Sequence, residues 1–247
     1  MRKATKLSRA EFARAIKLGH GRAILHIKEQ GDNQVKDLIC KALTKCNVYD
    51  YQIEGGRHYW LWQILCITKN IDYYAGYLFE NLGNPKATKW DLRQQYLLAA
   101  LFFNAGFCEF RELLFSQSNR AVSDPSLFGD YSRSLVDIAG LKGLGFAISL
   151  SEKDPEILDD WECYRVIDHA IELLSESEIT EFLSESSQTT TNAKKYLEGY
   201  QEYCNNKVFE PNYTQERPNF EKILELIASG EADRSFLSLV NMHPQKN

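Results

Sequence analysis

The chain predicts an all-α protein, an α-solenoid of antiparallel helix pairs, and three observations carry that expectation. Apolar residues recur at helical spacing: Val35, Leu38, Ile39, Ala42 and Leu43 fall on one face, and so do Ile71, Tyr74, Ala75, Leu78 and Leu82. From about Leu7 to Val240 almost no stretch alternates as a strand would. Each stripe is short, and a short helix with one apolar face does not fold alone, so successive helices must stack and share a core.

The elements follow in order. Ser8 and Glu11 form a capping-box pattern that opens the first helix, which Gly19-His20-Gly21 interrupts. Arg22 to Gln30 is its partner, and Gly31-Asp32-Asn33 turns the chain into a helix from Gln34 to Cys46. After a loop around Asn47 to Gly56 come helices at His58 to Thr68, Asp72 to Leu82, Lys89 to Asn104 and Phe107 to Gln117. Ser123-Asp124-Pro125, a cap followed by proline in the first turn, starts the second half. Helices are expected there near 126–139, 141–151 and 157–174, then from Ala193 to Asn205 after a mobile Ser/Thr-rich loop over Ser184 to Asn192. A break from Asn206 to Asn219 precedes two short helices near 219–229 and 232–241. Pairs then recur at roughly 35-residue intervals, within the range of solenoid repeats.

Composition is that of a soluble globular protein, with 247 residues, 44% hydrophobic and 26% charged. No stretch approaches the roughly 18 apolar residues of a membrane span, and the longest apolar run is Tyr96 to Phe103. Ser8 and Glu11 stand where a signal peptide needs its apolar region, so secretion is not expected. Six dispersed cysteines without a CxxC read as buried structural thiols in a reducing compartment, hence a cytoplasmic protein. The net charge of -5 hides an asymmetry: residues 1–50 carry 11 Lys/Arg against 5 Asp/Glu, and residues 122–247 carry 11 against 23. Two sets of repeats are therefore expected, 1–121 basic to neutral and 122–247 acidic. The asymmetry is either a pair of solvated faces or a basic end that meets an anionic partner, such as the acidic end of a second copy.

Candidate binding residues concentrate in the first half. Gly19-His20-Gly21-Arg22 places an imidazole and a guanidinium at a helix start, where unpaired N–H groups can hold a phosphate or carboxylate. The same residues also suit a plain helix corner with His20 and Arg22 exposed. Asp50, Glu54 and Arg57, with Tyr49, Tyr51 and Tyr59, can orient a ligand at a glycine-containing junction, or Glu54 or Asp50 can pair with Arg57 and cap the next helix. Trp60 and Trp62 cannot both point inward, so one is expected at a surface groove as an interaction anchor, within an aromatic region that includes Tyr73, Tyr74, Tyr77 and Trp90.

Gly140-Leu141-Lys142-Gly143-Leu144-Gly145 is GxxGxG rather than a dinucleotide fingerprint, and its small residues read as a place where two helices approach closely. The five histidines have no metal spacing, and no nucleophile elbow is present, so neither metal, cofactor nor catalytic residue is assigned.

Among solenoid classes, a tetratricopeptide-like array is the alternative, suggested only around Ala99 to Phe110, and the ankyrin signal is absent. Leu18-Gly19-His20-Gly21-Arg22-Ala23-Ile24-Leu25, Tyr49-Asp50 and Glu54-Gly55-Gly56-Arg57-His58-Tyr59 resemble the opening of uncharacterised bacterial HEAT-like helical-repeat proteins, over residues 7–120. That resemblance implies a solenoid fold and no catalytic residues. The expected function is a non-enzymatic protein-binding scaffold that contacts its partner through His20, Arg22, Tyr49, Asp50, Glu54, Arg57, Tyr59, Trp60 and Trp62. Two alternatives stand beside it: nucleic-acid binding by the basic amino-terminal end, which the overall pI of about 5.6 opposes, and an enzyme centred on His20, Asp50, Glu54 and Arg57.

Overall fold

The computed structural model describes residues 6–17, 22–45, 61, 64–153, 157, 166–167, 169–171, 173–187 and 191–205. Among these residues the chain is helical, with no strand, so the protein is all-α. It divides into two compact units between Leu98 and Ala99, inside one helix.

The first unit contains α1 (Arg9–Lys17), α2 (Arg22–Gln30), α3 (Lys36–Thr44), α4 (Ile71–Asn81) and the start of α5 (Lys89–Asn104). The Ser8 amide donates to the Glu11 carboxylate at 2.8 Å, and the Glu11 amide donates to Ser8 Oγ at 3.3 Å. This reciprocal capping satisfies two open helix donors and holds the Glu11 carboxyl below its usual range. α1 packs on α2 and α3, and α3 packs on α4. Phe12, Ile39, Leu43, Leu61, Ile64, Tyr74 and Leu78 are buried between them. His26 is structural: its Nδ1 accepts the Leu7 amide at 3.0 Å inside the unit.

α5 looks anomalous in sequence because Gln94 and Gln95 are buried among apolar residues. Their amides explain it. Gln94 Nε2 donates to the carbonyls of Ala42 and Leu43 at 2.6 and 2.8 Å, and Gln95 Nε2 donates to that of Thr44 at 3.0 Å. These are the last carbonyls of α3, which the helix itself leaves open.

The second unit contains the rest of α5, then α6 (Glu109–Ser116), α7 (Ser118–Ala121), α8 (Pro125–Ala139), α9 (Leu141–Ser151), α10 (Glu176–Ser186) and α11 (Thr191–Asn205). Phe102 stacks on Phe110 at 5.5 Å and meets the edge of Phe107 at 5.6 Å. α8 is the centre, buried without interruption from Leu127 to Val136. Asp124 caps it by accepting the Leu127 amide at 3.2 Å, with Pro125 in the first turn. The Tyr131 hydroxyl donates to the Leu114 carbonyl at 3.0 Å, so α8 closes the end of α6 as α5 closes that of α3. Asp130 and Arg133, both buried, pair with each other one turn apart. Mutual neutralisation is what makes two charges tolerable inside a core.

α8 and α9 meet at a corner of one residue, Gly140, whose φ of +55° disfavours a side chain. A Cβ at Gly143 would stand 2.0 Å from the Leu135 carbonyl oxygen, and one at Gly145 would stand 3.0 Å from Phe182 Cζ. The GxxGxG run is thus a helix-packing device. α10 and α11 pack on α9 and on each other. The Asn192 amide donates to Glu152 Oε1 at 2.6 Å, which sets a carboxylate at the start of α11.

Some elements differ from expectation. α10 occupies residues left unassigned in the sequence and runs into the expected loop, ending at Ser186, while α11 starts at Thr191. Its cause is a complete capping box between Ser175 and Glu178, with Ile179 and Leu183 buried beneath. α7 adds a short turn beyond Gln117. Of the expected helix at 157–174, the residues at 166–167, 169–171 and 173 are described as helix. The two helices expected beyond residue 219 lie outside the described residues.

Cys40 and Cys66 are buried free thiols, whereas Cys108 is exposed, contrary to the expectation that every cysteine is buried; it follows the turn at Gly106. Burial pushes the Cys66 thiol up to about 12 and the Cys40 thiol up to about 11. Burial and the Asp32 carboxylate also raise Tyr74 above its ordinary 10.0. Raised folded-state values give stability that is complete below the unfolded values of 9.0 and 10.0 and is lost as pH rises through the folded ones. The urea midpoint is therefore expected to fall steadily above pH 9, and Cys66→Ala to flatten the first part of that fall. A midpoint constant from pH 8 to 11 would contradict this assignment.

Candidate functional site

The site begins with a buried carboxylate. Asp32, in the turn between α2 and α3, accepts from the Thr68 hydroxyl, from Asn70 Nδ2 at 2.5 Å and from the Tyr74 hydroxyl at 2.7 Å. The Asn70 amide in turn donates to Thr68 Oγ1 at 3.0 Å. Asn70 stands at the N-cap of α4 without capping it by its side chain, because that side chain is committed to Asp32. Asp32 therefore fastens the start of α4 to the start of α3. The stripe of Tyr74, Ala75 and Leu78 then fixes the rotation of α4 by facing the core.

Once α4 is fixed in this way, its outward side is aromatic. At about 100° per residue, Tyr73, Gly76, Tyr77 and Glu80 lie opposite the buried stripe. Tyr73 is 51% exposed, the most exposed of the large hydrophobic residues among those described, ahead of Leu25 at 46% and Phe79 at 37%. Its ring stands edge-on to Tyr74 at 5.6 Å, with Lys36 Nζ of α3 5.0 Å from its centroid. A cation over the ring fixes a side chain that solvent would otherwise leave free. Tyr77 lies half-buried beside it, and no atom comes within 4 Å of where a Gly76 Cβ would be. Two tyrosines one turn apart thus flank an open position on a rigid helix. Such a surface offers large contact area and hydroxyl bonding at small entropic cost, as interface anchors do.

Of the residues predicted from sequence, Arg22 is exposed at the first position of α2, where its charge helps hold Glu11 ionised. His20, Tyr49, Asp50, Glu54, Arg57, Tyr59, Trp60 and Trp62 lie outside the described residues. Tyr73 was read only as part of the aromatic region, yet the stripe of Ile71, Tyr74, Ala75, Leu78 and Leu82 already placed it on the opposite face. Asp32 was read only as part of a turn, and its three partners, 36 to 42 residues distant, leave no local signal.

Among the described residues no helix is long and apolar enough to cross a membrane, and no group of three or more His, Cys, Asp or Glu is placed to hold a metal ion. No protein-family model, curated protein or solved structure matches the chain.

Proposed function

We propose that the chain is a non-enzymatic scaffold of the cytoplasm that binds a protein partner, its helix pairs arranged as a HEAT-like solenoid. The exposed Tyr73/Tyr77 face of α4, anchored by Lys36 and held by the Asp32 cluster, carries the proposal. The packing of neighbours in chain order (α1 with α2 and α3, α9 with α8, α10 and α11) supports the solenoid arrangement, since repeats contact chiefly their neighbours. Arg22, with Arg57, Trp60 and Trp62 as predicted from sequence, belongs to the same proposed binding function.

The test uses immobilised wild-type chain and the Tyr73→Ala/Tyr77→Ala variant in a lysate of the source cells. A protein retained by the wild type is expected to drop about tenfold or more on the variant, since anchor tyrosines each contribute roughly 1–2 kcal/mol. The unfolding midpoint is expected to change less than binding does, because Tyr73 is half exposed and Tyr77 only half-buried. Equal recovery by both chains removes this face from the function. Binding to a generic duplex or single strand at low salt that decays steeply with added salt would favour the nucleic-acid alternative instead.

A further inference from the structure

We draw no further inference here: the strongest candidate, the buried polar stripe of α8 around Asp130, Ser132 and Arg133, carries nothing because its two charges already answer one another inside the helix and nothing in the structure points to a ligand for it.

Discussion

Gly143→Ala is expected to lower the unfolding free energy by about 3 kcal/mol, the upper range for overpacking a close-packed site. The added Cβ would meet the Leu135 carbonyl at 2.0 Å, and that neighbour is backbone in the middle of α8, unable to rotate aside. Relief requires opening the one-residue corner at Gly140, which separates α8 from α9 and exposes the faces that Leu135, Leu144 and Ile148 bury. In a chain of this size the loss corresponds to a melting temperature lower by about 6–12 °C. Gly199→Ala provides the contrast in the same unit. It lies inside α11 with nothing within 4 Å of the added methyl, so helix propensity acts alone and stabilises by up to about 1 kcal/mol. Thermal and urea unfolding of the two variants read the difference. Should Gly143→Ala melt with the wild type, the close approach of α8 and α9 is not what the geometry says.

Removing the Asp32 carboxylate should be at least as damaging. Asp32→Ala leaves the hydroxyls of Thr68 and Tyr74 buried without their acceptor and frees the amide of Asn70. Each stranded buried donor costs about 1–3 kcal/mol, and Asn70, half-buried, can recover part of its loss from water. A net loss of about 3–4 kcal/mol is expected. Tyr74→Phe removes one donor and leaves the carboxylate two others, so a loss of about 1 kcal/mol is expected. The double variant should lose less than the sum, because removing Asp32 already cancels what Tyr74 contributed. Strict additivity would show that the two groups do not act together. The same cluster sets the start of α4, so, on the proposed function, Asp32→Ala is expected to weaken retention of a partner by the Tyr73 face at temperatures where the variant remains folded.

These two positions differ in how far sequence reasoning reaches. The spacing of glycines in GxxGxG already indicates close helix packing, because small residues have few other uses inside an apolar run. Asp32 carries no comparable sign. Its role depends on three side chains brought from beyond the α3 helix, and composition between Gly31 and Asn33 indicates only a turn. Gln94 and Gln95 are similar: their burial contradicts the apolar pattern until the open carbonyls at the end of α3 are seen beside them.

Helix content, most helix boundaries and the core stripes were legible from residue order, because amphipathic spacing, caps and glycine turns act over one or two turns of chain. The capping box of Ser175 with Glu178 is equally local, though α10 was left unassigned in the sequence. Tertiary contact alone decided which buried polar groups find partners and where the chain divides into units, and it fixed the rotation of α4 that the apolar stripe only indicated. Tyr73 and Tyr74 are adjacent and chemically identical, yet one is half exposed and the other wholly buried. Their difference arises from the rotation of α4, fixed by a carboxylate more than forty residues away from Tyr74.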